Sequence, residues 1–343
     1  MQADSKTARQ SNMELLRIFA AAGVIALHFN ARALQSTPPP SRYFLLVVEL
    51  AAACSVNVFV MLSGYFLWRR EHVSVRKPLS LLVQLIVYRL VMHGIELILG
   101  SAEFTWEGLL LLVVPTDYFL VLYAVLYLLS PYLNRVIALQ DDRGLRRLLL
   151  LLLLLFSVWN YAGLFLESLT GLSLASGSSI GIEGAQDGYT IVNFILCYCV
   201  GAAIGRKSLT VRRPGLLLLG CFAAELLLSR LGLYFSISYL SPFVICQAAC
   251  AVLLAERVCF RSRIVNCIAG AALSVYMIHM HLLARFDTAS CAGRSLLGTV
   301  GYLTLTVGAI YAAGVAANVL YTALARPVGK YMDAHVRFPE ISC

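Results

Sequence analysis

The stretch from Met13 to Asn30, MELLRIFAAAGVIALHFN, is apolar enough to enter a membrane, yet it carries Glu14, Arg17 and His28. Arg17 and His28 are eleven residues apart. In a helix that spacing comes within about 20° of three full turns, so both side chains share a face, roughly 16 Å apart along the axis. Glu14 stands three residues before Arg17, within pairing distance. The helix thus offers a cation near its start and a titratable imidazole well along it. An ionisable group inside a membrane helix is costly, usually faces a bundle interior and often marks a functional path. The competing reading is anchoring, with Arg17 snorkelling to one interface and His28 lying near the opposite headgroups.

Other polar residues recur in apolar stretches. Arg89, His93 and Glu96 are spaced i, i+4 and then i+3, so they share one helix face, as a relay or as a buried structural pairing. In SVYMIHMHLL, residues 274–283, Tyr276 and His279 are one turn apart and can act together. His279 and His281 point to different faces, so at most one easily faces the same cavity as His28. An interfacial histidine explains them equally well. No histidine pair there has the i, i+4 spacing that suits helix-borne ligands, and no metal site is expected. Ser63-Gly64 is a small pair that lets a second backbone or a ligand come close. Tyr123, Tyr127 and Ser130 read as packing.

These residues need a membrane scaffold. Of 343 residues, 60% are hydrophobic and 13% charged, and the mean hydropathy is +0.80. That composition implies an all-α polytopic membrane protein. Ten apolar stretches run at about 13–31, 43–68, 78–99, 116–134, 146–166, 189–205, 214–231, 237–256, 264–284 and 297–321. The sixth and seventh are short, which leaves room for a broken or re-entrant segment. With the N-terminus inside, five of the 27 Lys and Arg (Arg32, Arg42, Arg230, Arg285, Arg294) fall outside. Arg17 and Arg89 lie within helices, and the other twenty fall inside. That bias fits ten spans with both termini cytoplasmic. The expected division is a tail over 1–12, one membrane domain over 13–324 and a tail over 325–343. The N-terminus reads as retained rather than as a signal peptide.

The net charge of +9 is accounted for by inner loops, so no nucleic-acid partner is expected. The ten cysteines lack a C-x-x-C pair, so neither a zinc site nor a disulfide framework is expected. Segment 104–114 reads as interfacial. Loop 167–188, rich in Gly and Ser, is either an acceptor-side lid or a flexible connector. There is no dinucleotide, Walker, zincin or nucleophile-elbow motif and no internal repeat.

Five pieces, in order, resemble the membrane-bound acyltransferase 3 family. They are Glu14-x-x-Arg17 followed by ten residues and His28, FVMLSGYFL (59–67), YFLVLYAVLYLLSPYLN (118–134), GYTIVNFILCYCVGAAIGR (188–206) and SVYMIHMHLL (274–283). Tyr118 stands where the family's tryptophan is usual, and Met280 where a proline often follows the late histidine. The paired arginines of some branches have Arg76-Lys77 as their nearest match. The resemblance implies a bacterial inner-membrane enzyme that moves an acyl group from acyl-CoA, most often acetyl-CoA, to a hydroxyl of a surface glycan or lipid-linked glycan. The acyl-CoA is a substrate, and no bound cofactor is implied. On that reading His28 is the general base, with Arg17 and Glu14 beside it in the catalytic set. Arg17 serves either the donor phosphates or developing negative charge. Arg76, Lys77, Arg89, Ser63, Tyr276 and His279 are candidates for binding substrate. The residues alone also allow a non-enzymatic class, a flippase or exporter of a glycan or lipid-linked intermediate. Release of free CoA separates the two.

Overall fold

The computed structural model describes residues 9–114, 117–171, 189–232 and 238–342. It begins with α1 (Ser11–Ala33), α2 (Ser41–Ala52), α3 (Ser55–Leu67) and α4 (Arg76–Ile98). A short α5 (Trp106–Val113) precedes α6 (Tyr118–Leu139), α7 (Asp142–Leu153) and α8 (Trp159–Thr170). A π-helical turn, Leu154–Val158, joins α7 to α8. The second half holds α9 (Ile191–Gly205), α10 (Pro214–Arg230), α11 (Pro242–Arg257), α12 (Arg263–Gly270), α13 (Ala272–Leu283) and α14 (Leu296–His335). Two short strands, β1 (His72–Ser74) and β2 (Glu340–Ser342), pair antiparallel.

Helix starts follow the local chemistry. Asp117, Asp141, Thr190 and Ser295 each accept a backbone N–H of the turn they cap. Proline opens α10 and α11, where its missing N–H costs nothing. Inside α6, Pro131 cannot donate to the carbonyl of Tyr127. The hydroxyl of Ser130 donates to that carbonyl instead, at 2.7 Å.

All ten apolar stretches fall on helices, but ten membrane crossings do not follow from helix length. Among the described residues, six helical stretches are long and apolar enough to cross: Ser11–Ala33, Ser41–Leu67, Arg76–Ile98, Trp106–Leu139, Asp142–Thr170 and Leu296–His335. The pair α12 and α13, bent by 52°, makes a seventh if counted as one span. The break thus lies in the ninth stretch rather than in the short sixth and seventh. Residues 104–114 were expected along the interface; α5 forms there, with no buried residue. The C-terminal helix outruns the last apolar stretch. It continues past residue 324 to His335, because its last turns have a partner in the β1–α4 corner. Loop residues 172–188 lie outside the described residues.

The tightest contact is between α3 and α9, where backbones touch. A Cβ on Gly64 would stand 2.0 Å from the carbonyl oxygen of Tyr198, and one on Gly201 would stand 1.9 Å from that of Met61. Asn134 of α6 tightens the same region. Its amide donates to the carbonyls of Leu67 and Arg70, each at 2.8 Å, and its Oδ1 accepts from Tyr198 Oη at 2.7 Å. On the other side of α3 a Cβ on Gly23 of α1 would meet Ser55 Oγ at 2.1 Å. At its start, α1 is tied to α11 and α12. Asn12 donates to the carbonyl of Ala255, and Ser11 Oγ donates to Asn266 Oδ1, both at 2.9 Å. α1 therefore runs through the middle of the bundle, with α3 on one side and α13 on another.

Gly201→Ala is expected to destabilise the protein by about 1–3 kcal/mol, because backbone atoms cannot yield as a side chain can. Gly220→Ala in α10, where a Cβ would meet nothing within 4 Å, is expected to be neutral or to stabilise by up to ~1 kcal/mol. Thermal unfolding of both variants in the same detergent checks the difference.

Candidate active site

Four helices, α1, α3, α4 and α6, and the bend of α12–α13 enclose a cavity of about 270 Å³. Its charged end holds Arg9, just before α1, together with Arg17 of α1 and Lys77 in the first turn of α4. Its aromatic end holds Phe59 of α3, Phe119 and Tyr123 of α6, and Tyr276 of α13. Ser63 and the small residues Ala269, Gly270 and Ala272 complete the wall.

Each cation is held differently. Arg17 Nη1 donates to Glu14 Oε2 at 2.6 Å. Glu14 is 6% exposed, and the Arg17 side chain 29%. The carboxylate is thus buried beneath the guanidinium, which still reaches the cavity. Arg9 Nη1 donates to the carbonyl of Asn266 at 3.0 Å. The Lys77 ammonium sits 4.7 Å from the centroid of the Tyr127 ring, a cation–π contact.

At the aromatic end the cavity meets two histidines through Tyr276. The rings of Tyr276 and Phe119 lie 4.7 Å apart, and those of Tyr276 and His279 lie 5.4 Å apart. The His279 and His28 rings are 4.9 Å apart at an interplanar angle of 42°. Tyr276 Oη donates to Asp117 Oδ1 at 3.0 Å. His279 Nδ1 lies 2.5 Å from the carbonyl oxygen of Tyr276. A carbonyl only accepts, so Nδ1 carries the proton and Nε2 keeps the lone pair. That Nε2 is buried without a hydrogen-bond partner among the described residues. His28 is half-buried beside it.

A family model described as an acyltransferase domain, that of the acyltransferase 3 family, matches residues 10–317. The chain belongs to this family. It is a membrane acyltransferase, and the match takes in every cavity residue except Arg9. No curated protein and no solved structure matches the chain.

Of the residues singled out in the sequence, Arg17, Lys77, Ser63 and Tyr276 line the cavity. Glu14 pairs with Arg17, and His28 and His279 form the imidazole pair. Arg76 and Arg89 lie elsewhere. Arg76 turns to the C-terminal end of α14 and forms an ion pair with Asp333. Arg89 Nη1 donates to the carbonyl of Val114 at 2.9 Å. Of the face formed by Arg89, His93 and Glu96, the last two do come together, but with α13. Glu96 Oε1 lies 3.1 Å from His281 Nδ1, and its Oε2 lies 3.9 Å from His93 Nδ1. The two late histidines therefore part company, His279 to His28 and His281 to Glu96. Sequence reasoning passed over Arg9, Phe119, Tyr123 and Asp117 as site residues. The i, i+4 spacing of Phe119 and Tyr123, opposite the small residues of α12, is the signal that would have found two of them.

Arg17→Met removes the partner of a buried carboxylate and is expected to cost about 2–3 kcal/mol. Adding Glu14→Gln is expected to restore most of that loss. Thermal unfolding of the single and double variants measures it.

Proposed function

We propose that this enzyme transfers an acetyl group from acetyl-CoA to a hydroxyl of a surface glycan or lipid-linked glycan, with His28 as the general base. One observation carries the reading. A single cavity has three cations at one end and ends at the other on Tyr276, against which the His28–His279 pair is packed. A donor with phosphates at one end and a thioester at the far end of a long arm fits that polarity.

The two parts lie apart by geometry. His28 is about 16 Å along α1 from Arg17. Arg17 therefore cannot touch an oxyanion formed beside His28, and its place is with Arg9 and Lys77 on the donor phosphates. At the other end, the acceptor O–H gives its proton to His28 as its oxygen attacks the thioester carbonyl carbon. The C–S bond then breaks, and the CoA thiolate takes the proton back from His28. His279 has its tautomer set by the Tyr276 carbonyl and flanks His28 with a fixed lone pair. Tyr276 is held by Asp117 and stands at the end of the donor channel, beside the histidines.

The topology that goes with this chemistry has ten spans in the inner membrane of a bacterium, with both termini cytoplasmic. The charged end of the cavity lies at the starts of α1 and α4, on the side where inner loops carry most of the Lys and Arg. Cytosolic acetyl-CoA would enter from that side, and the acceptor would approach His28 from the other.

His28→Ala is expected to fold and to lose at least about a hundredfold in transfer rate, the lower range for a missing general base. The assay follows free CoA and labelled acetyl groups in protein-containing vesicles with an undecaprenyl-glycan fraction. Wild-type transfer with an inactive, folded His28→Ala variant supports the reading. Equal activity in the two would overturn the role of His28. Glycan-lipid movement without any use of acetyl-CoA would favour transport instead.

A further inference from the structure

The C-terminal segment lies beyond the family match, which ends at residue 317, yet it is bound to the wall of the cavity. α14 has 40 residues, about 60 Å of helix, whereas a membrane core needs only ~20 residues. Its last turns therefore emerge from the bilayer, and the chain then returns as β2. Three contacts fasten this segment to the β1–α4 corner. β2 pairs with β1 in the register His72 with Ser342, Val73 with Ile341 and Ser74 with Glu340. The amide of Val75 donates to the carbonyl of Pro339 at 3.1 Å. Arg76 forms an ion pair with Asp333, donates from Nη2 to the carbonyl of Gly329 at 3.3 Å, and lies 5.9 Å from the centre of the Phe338 ring. A cation on carbonyls of the last helical turns is well placed against the helix dipole.

The residue after Arg76 is Lys77, one of the three cations of the cavity. Neighbouring helical side chains point about 100° apart. With Arg76 turned to the strap, Lys77 faces the cavity and the Tyr127 ring. We infer that the C-terminal strap, through Arg76 and Asp333, is a positioning element for the donor site: it locks the first turn of α4 so that Lys77 meets the donor phosphates. This inference rests on the acyl-CoA reading above.

Three mechanisms for this corner differ in sign. If Asp333 acted on the donor only through its charge, Asp333→Arg would tighten CoA binding, since it replaces a negative charge by a positive one. If Arg76 itself held phosphate, the exchange Arg76→Asp with Asp333→Arg would stay weak. Positioning predicts that Asp333→Arg weakens CoA binding by about fivefold, because two like charges now face each other across the clamp. It also predicts that the exchanged pair returns to within about twofold of wild type, since the two sites are coupled.

The experiment is calorimetric titration of CoA into purified wild type, Asp333→Arg, Asp333→Asn and the exchanged pair, with thermal midpoints and acetyl-CoA kinetics on the same samples. The expected result is weaker CoA binding and a higher KM for acetyl-CoA in Asp333→Arg, with kcat held, and recovery in the exchanged pair. Should Asp333→Arg not fold, a smaller weakening in Asp333→Asn with recovery in the exchanged pair decides for the same conclusion. Unchanged or tighter binding in the single variants, or no recovery on exchange, overturns the strap's role. Failure of the wild type to bind CoA would instead overturn the donor reading itself, and this inference with it.

Discussion

Two helix backbones meet at Gly64 and Gly201, and the arrangement of the bundle follows from that contact. Lipid offers apolar side chains nothing that it does not also offer to one another, so helices in a membrane associate where small residues allow close approach. Here the approach is close enough that a methyl group on either glycine would overlap a carbonyl oxygen of the other helix. With α3 fixed on α9, its opposite side receives α1 at Gly23. α3 also supplies Phe59 and Ser63 to the cavity wall. α13 closes on the far side of α1 and brings His279 to His28. α14 holds α13 in turn, with Gly314 set against Val275.

The same lipid surroundings govern the polar residues. A polar group in the hydrocarbon region needs a partner inside the protein. Asn57 and Asn193 bond to each other at 3.0 Å across α3 and α9. Gln84, Tyr88, Ser274 and Asn318 join α4, α13 and α14 through Ser274 Oγ. Such networks are scaffold: their members have their bonds and nothing left to offer. The site adds a concentration of charge to this pattern. His279 spends its Nδ1–H on a backbone carbonyl and buries Nε2 unpaired, and three cations converge on one cavity with a single buried carboxylate between them. A cost of that kind is what a reacting centre accepts in return for chemistry.

Much of this was legible from residue order. Hydropathy located the helices, since a 20-residue apolar run allows little else, and the eleven-residue interval placed Arg17 and His28 on one face. The Glu14–Arg17 pair followed from one helical turn. Periodicity assigns a residue to a face but does not say which helix that face meets. For that reason Arg76 and Lys77 looked alike in sequence, whereas one turns to Asp333 and the other to the cavity. His279 and His281 were separable by spacing, but their partners were not. Tyr123 read as packing because an aromatic on a membrane helix usually is, and only the small residues opposite it and Phe119 open a cavity there. The C-terminal strap was hidden for a related reason. A polar segment after the last span looks like a tail until its strand partner, some 270 residues earlier by the chain register, is known.

The account stands or falls on where the donor lies. The most direct measurement is a density map of the protein in lipid nanodiscs with CoA bound. The account predicts phosphate density against Arg9, Arg17 and Lys77, with the pantetheine arm running along Ser63 and the thiol ending beside Tyr276, next to His28 and His279. CoA bound at another surface, or a cavity filled by lipid while CoA finds no ordered site, would contradict it.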